Sequence, residues 1–197
     1  MKWVALVIIV SIVTYTAVTL RYRRPGQAYQ PYQDNKERAI VTRLRSAGYQ
    51  RIPAVAERPA DPERAAARMA GPFATVVDQP GGVAEELKEI FVDQPRLPQS
   101  FAVVRAPAEA VSLLAYTFQF TCALPDNKQL LSATYVYVKE QEMVIVSDLE
   151  AMEGELLART PESTVQMTLP AGTLHPGTYQ VTLIGQRQSK RWTLLVH

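Results

Sequence analysis

Three hydrophobic patterns succeed one another along this chain of 197 residues. Residues 3–20, WVALVIIVSIVTYTAVTL, are apolar almost throughout and contain no Asp, Glu, Lys, Arg, Gly or Pro. From about residue 34 to 92, short apolar stripes recur at helical spacing between Pro and Gly breaks. From Phe101 onward, apolar and polar positions alternate with period two. A continuous apolar run predicts a fully buried or membrane-crossing helix, a stripe predicts an amphipathic helix, and alternation predicts half-buried strands.

A helix over 3–20 would be about 27 Å long, close to the hydrocarbon thickness of a bilayer. Trp3 and Tyr22 stand where the two interfaces would fall. Ser11, Thr14, Thr16 and Thr19 are short enough to bond back to helix carbonyls. A cleaved signal peptide has an apolar core of only about 7–15 residues, followed by a small-residue cleavage site. Here Arg21, Tyr22, Arg23 and Arg24 follow instead. The expectation is an uncleaved transmembrane helix acting as a signal anchor.

Residues 25–33, PGQAYQPYQ, read as an extended spacer, because proline biases its predecessor away from helix. Asp34 and Glu37 have the spacing of a capping box. The helix they would start carries Ile40, Val41, Leu44 and Ala47 on one stripe and should stop at Gly48. That stripe either packs on its own domain, the preferred reading, or lies on a membrane. Residues 49–55 read as a short strand interrupted by Pro53. Asp61-Pro62 opens a short helix over 63–70. Residues 73–77 are strand-like, 80–82 are a turn, and 83–91 are helical. The proline-containing segment 93–99 marks the expected domain boundary.

Seven strands are expected beyond it: 101–106, 111–122, 131–139, 143–147, 163–169, 178–184 and 190–196. In the second, Leu114, Tyr116, Phe118, Phe120 and Cys122 share the expected core face. The segment 147–160, SDLEAMEGELLART, breaks the rhythm. Short strands separated by turn signals predict a sandwich or barrel.

The sharpest local signal is Leu174-His175-Pro176-Gly177-Thr178-Tyr179-Gln180-Val181. Leucine, then Pro-Gly, then a tyrosine opening an alternating strand resembles the penultimate-strand entry of fibronectin type III and bacterial immunoglobulin-like domains. The resemblance covers about 101–197 and rests on Leu174, Pro176, Gly177, Tyr179 and Val181. It implies an immunoglobulin-like sandwich in which the Tyr179 hydroxyl bonds nearby backbone. It implies almost nothing about activity. Two departures stand out: Cys122 has no second cysteine to pair with, and Trp192 lies in the last strand, where it would close a sheet edge.

The expected architecture is therefore an N-terminal transmembrane helix, a small α/β or mostly helical juxtamembrane region, and a C-terminal all-β immunoglobulin-like sandwich. The segments are 1–24, 25–33, 34–99 and 100–197.

Charge sharpens this picture. The chain totals +2, with 21 Lys and Arg against 19 Asp and Glu. Residues 21–58 hold nine basic and three acidic residues, 9 − 3 = +6. Lys2 adds +1, and 59–197 carries 11 − 16 = −5. A basic neck beside an anionic bilayer would be attracted by about 1 kcal/mol per Lys or Arg near the surface. Arg21, Arg23, Arg24, Lys36 and Arg38 are the candidate membrane-surface contacts. Asp148, Glu150, Glu153 and Glu155 form a candidate partner surface, or simply a solvated acidic loop. Flanking arginines favour a cytoplasmic C-terminal bulk. Long domains translocate despite such charge, and sandwiches are commoner outside, so the balance tilts to the exterior or periplasm.

One Cys and two His leave little for metal or nucleophilic chemistry. No phosphate loop or nucleophile elbow is present. The balanced charge excludes a dedicated nucleic-acid binder. No catalytic residue, metal ligand or cofactor is expected. The expected function is a single-pass, membrane-anchored, non-enzymatic accessory protein, a candidate subunit of a larger membrane complex, whose partners are membrane lipid and protein. The alternative is a membrane-tethered ligand- or glycan-binding module using Tyr135, Tyr137 and Trp192.

Overall fold

The computed structural model describes residues 2–22, 31–69, 71–152 and 160–197; within its helices, the side chains of 4–7, 17, 20, 22, 31–34 and 37 lie outside that description. The chain divides into two compact units, 1–35 and 36–197.

The first unit is dominated by α1 (Lys2–Tyr22), an unbroken helix of 21 residues. Ile8, Ile9, Val10, Ile12 and Val13 are each at least half exposed. With Val18, also half exposed, these positions surround the helix axis at 3.6 residues per turn. Thr16 and Thr19 donate to the carbonyls of Ile12 and Tyr15 at 2.8 Å, so both hydroxyls are satisfied within the helix. Among the described residues no helix is long and apolar enough to cross a membrane. Six of the eighteen side chains of 3–20 lie outside that set.

The next helix, α2 (Pro31–Ser46), starts earlier than the sequence suggested. Residues 31–33 are its first turn and not a spacer, and Asp34 lies inside the helix instead of at its N-cap. Proline suits a first helical position, where its fixed φ is helical and its missing N–H would have had no partner. The rest of the expected spacer, 25–30, lies outside the described residues. The far end is as expected. Gly48 turns left-handed at φ 83°, and Tyr49 N–H closes on the Leu44 carbonyl at 2.8 Å.

The second unit is two packed sheets with short helices laid against them. The larger sheet runs β1 (Gln50–Ile52), β7 (Gln129–Lys139), β8 (Glu142–Ala151), β10 (Gly177–Ile184), β11 (Gln188–Val196), β3 (Val77–Pro80), with β5 (Glu109–Ala110) also on β11. The smaller runs β2 (Val55–Glu57), β9 (Glu162–Leu169), β6 (Tyr116–Ala123), β4 (Ser100–Arg105). Phe118, Phe120, Val165 and Met167 from the small sheet meet Ile145, Val181, Trp192 and Leu194 from the large one in a single buried core. Phe118 and Trp192 sit 5.9 Å apart between ring centroids.

All seven expected strands are present as β4 and β6–β11. Two pairings depart from the immunoglobulin arrangement: β8 and β10 run parallel, Met143 opposite Val181, and so do β5 and β11, whereas immunoglobulin sheets are antiparallel. The last strand does not close a sheet edge either. The outer side of β11 is covered by β3 at Gln188–Arg191 and by β5 at Leu195–Val196. The second strand starts only at Tyr116, so Leu114 is 65% exposed and not core. Residues 147–151 continue β8 instead of breaking it.

The region expected as a separate domain, 34–99, is built into the sandwich. Pro53 divides its first strand, sending β1 to the large sheet and β2 to the small one. Strand character at 73–77 reduces to an isolated Phe73·Pro107 bridge before β3. Its two short helices are α3 (Pro62–Ala66), capped by Asp61 accepting from Arg64 N–H, and α4 (Glu85–Ile90). The segment 93–99 is no boundary. The carbonyls of Arg96 and Pro98 accept from Leu149 and Gln186, at 2.8 and 2.7 Å. Gln99 N–H also donates to the Ala123 carbonyl of the small sheet at 3.0 Å, and a backbone held at both sheets cannot act as a free hinge.

A second buried cluster lies on the outer face of the large sheet. Leu44 of α2 and Leu87 and Ile90 of α4 cover Tyr137, Val146 and Ile184, with Ile40 and Ala47 alongside. The α2 stripe therefore packs on its own sheet, the preferred of the two readings.

Candidate interaction surface

The basic neck resolves into residues with different employment. Arg21 lies exposed in the last turn of α1, while Arg23 and Arg24 fall outside the described residues. Lys36 is ion-paired with Asp93. Arg58 donates to the Leu131 carbonyl at 2.6 Å. Arg51 stacks on the Tyr135 ring at 4.3 Å. Arg38, Arg43 and Arg45 are exposed along α2 with no ion pair among the described residues.

Two of these residues, Arg45 and Arg51, line an open groove of about 730 Å³ between α2 and β1. Val41, Leu44, Tyr49 and Pro53 give it apolar walls, and Arg45, Gln50 and Arg51 give it polar ones. Gly48 makes this possible, since its left-handed turn brings the chain straight back beside the helix it has just ended. Sequence reasoning noted Gly48 and the strand after it, but not that a helix-stop followed at once by a strand juxtaposes Arg45 with Arg51. β1 also ends the large sheet, so among the described residues no strand pairs with its outer side.

The expected acidic partner surface is partly spent internally. Asp148 accepts from Arg96 N–H at 2.8 Å, and Glu150 accepts from the Ser132 hydroxyl at 3.0 Å. Glu153 and Glu155 lie outside the described residues. The aromatic side chains nominated for a sugar site are packing residues. Trp192 and Tyr137 are buried, the latter against Phe91, and Tyr135 carries Arg51.

The chemistry of the remaining singled-out residues is quiet. Cys122 is fully buried, its thiol donating to the Ser163 carbonyl at 3.4 Å, and burial pushes its pKa up to about 11. A thiol so held is rarely thiolate, the nucleophilic form. Burial also raises Tyr116, whose hydroxyl donates to the Pro107 carbonyl at 3.0 Å. Tyr179 makes the corner that the resemblance implied, donating to the His175 carbonyl at 3.1 Å and accepting from His175 N–H at 3.2 Å. His197 faces Glu109 at 3.8 Å. Among the described residues no three His, Cys, Asp or Glu side chains gather to hold a metal ion.

Two further cavities, about 360 and 290 Å³, open near Leu114 and near Arg191. The groove beside β1 is the largest of the three and the one that joins apolar walls, two arginines and a sheet edge. No protein-family model, curated protein or solved structure matches this chain.

Proposed function

We propose that the protein is a single-pass, membrane-anchored, non-enzymatic accessory protein that presents its sandwich to a protein partner. One observation carries this reading: α1 is helical throughout and apolar on every side. A helix apolar all round is stable only when something apolar surrounds it, a lipid bilayer or other helices. In length alone, its 21 residues extend about 31 Å, comparable with a hydrocarbon core. Arg21 at its end and the exposed α2 arginines Arg38 and Arg43 suit an anionic lipid surface. The immunoglobulin-like character of the sandwich belongs to the same proposal, supported by the Tyr179 corner and set against the parallel β8·β10 pair.

Purification of the tagged full chain in a mild detergent tests this function. A stoichiometric membrane or membrane-surface protein should accompany it, and isolation as a lone monomer would count against the accessory role. A C-terminal alkaline phosphatase fusion reads the side of the membrane, with activity expected for an exterior sandwich. The aromatic residues of the glycan-binding alternative are engaged in packing, Trp192 and Tyr137 buried and Tyr135 under Arg51, and that reading is not pursued.

A further inference from the structure

We propose that the groove between α2 and β1 is a strand-addition site for an extended acidic segment of a partner protein. This rests on the reading of the chain as an interaction protein and names where and what it binds. In an antiparallel ladder, alternate residues turn their N–H and C=O groups away from the neighbouring strand. β1 pairs with β7 through Gln50·Val138, Arg51·Tyr137 and Ile52·Val136. Its other side carries no strand among the described residues, so those outward groups remain available to an added strand. An extended peptide beside a sheet edge takes its affinity from such main-chain bonds and its specificity from pockets for alternate side chains.

The groove supplies both kinds of pocket. Val41 and Leu44 of α2, with Tyr49, form an apolar wall that suits one face of an alternating peptide. Arg45 and Arg51 line the same groove, one on the helix and one on the strand, where they would meet carboxylates of the peptide. Arg51 is already oriented by stacking on Tyr135, which leaves its guanidinium edge for a carboxylate. Arg45 has no ion pair among the described residues. A bilayer would use the charge but not the strand edge, so the edge favours a peptide over a lipid surface.

The test uses the full chain in detergent micelles. The probe is a short peptide alternating Glu with Val, compared with a Lys–Val peptide and with a Glu–Val peptide N-methylated at alternate residues. Binding is followed by fluorescence anisotropy and by hydrogen exchange at Gln50–Ile52. The Glu–Val peptide should bind and slow exchange at these amides, while the other two bind at least about tenfold more weakly. Arg45→Glu should weaken binding by about tenfold or more, and Arg43→Glu, on the same helix but outside the groove, by less than about twofold. Equal binding of the N-methylated peptide would refute strand addition. Equal losses from Arg43→Glu and Arg45→Glu would reduce the site to diffuse charge. Slowed exchange with phosphatidylglycerol vesicles and none with peptide would transfer the groove to lipid and overturn the proposal. Membrane retention and partner co-purification are read separately, so failure here leaves the anchored-accessory reading standing.

Discussion

The two long helices, α1 and α2, have opposite surfaces, and the contrast explains how the chain is divided. α2 is apolar along one stripe, and Ile40, Leu44 and Ala47 spend that stripe on the outer face of the large sheet. α1 is apolar on all sides, and Ile9, Val13 and Val18 remain exposed. An amphipathic stripe needs one partner surface, which the same chain provides. An all-round apolar surface needs an enclosing medium, which the proposed membrane anchoring would supply. The polar face of α2, freed from packing, is then where the unpaired arginines gather.

The contrast is open to attack by mutation. The largest effect within the sandwich should come from Trp192→Ala, which removes the side chain joining both sheets and costs about 3–5 kcal/mol in urea denaturation. Leu44→Ala should cost about 2–3 kcal/mol, because α2 packs by this residue. Ile9→Ala should change sandwich stability in detergent by less than about 0.5 kcal/mol. If Leu44→Ala proves equally silent, α2 is not held by the sheet and the contrast between the helices fails.

Alkaline pH should weaken the sandwich next. Burial raises the Cys122 thiol from 9.0 to about 11 and the Tyr137 phenol from 10.0 to about 12. Both groups bind protons more tightly folded than unfolded, so their contribution is complete below the unfolded values and is lost as pH rises through the folded ones. Stability should therefore hold to about pH 9 and fall between about 9 and 12, by of order 2 kcal/mol per group. Denaturation midpoints against pH, with tyrosinate absorbance, measure it. A flat profile over that interval would show these groups to be solvated.

Tyr179→Phe should have a smaller effect, about 1–2 kcal/mol, because both backbone groups of His175 lose their hydroxyl partner. Thermal denaturation of the variant measures it, and no change would mean that water replaces the hydroxyl.

Much of this fold was legible in the sequence because its signals are local. Period-two alternation set β6 through β11 on their faces, and Leu174-His175-Pro176-Gly177-Thr178-Tyr179 gave the corner. Gly48 marked the end of α2. Strand order was not legible. The parallel β8·β10 pair joins segments separated by the whole of β9, and nothing in either strand's alternation names its neighbour. Leu114 continued the apolar rhythm of β6, yet the chain there is not a strand, so rhythm alone misplaced it. β1, β2 and β3 are three or four residues long, too short for a pattern. That brevity hid their membership of the sandwich. It hid the groove too, since Arg45 and Arg51 looked like two more charges in a basic neck.

The central claim is that α1 is enclosed by lipid while 36–197 folds as its own unit. Alkaline carbonate extraction of membranes from cells making the full chain tests it most directly, beside the double variant Ile9→Arg, Val13→Arg. Each arginine near the middle of a spanning helix costs about 2.5–3.5 kcal/mol on insertion scales. The wild-type chain should stay in the membrane pellet, and the variant should move to the soluble fraction with its sandwich folded. A wild-type chain released by carbonate would contradict the account.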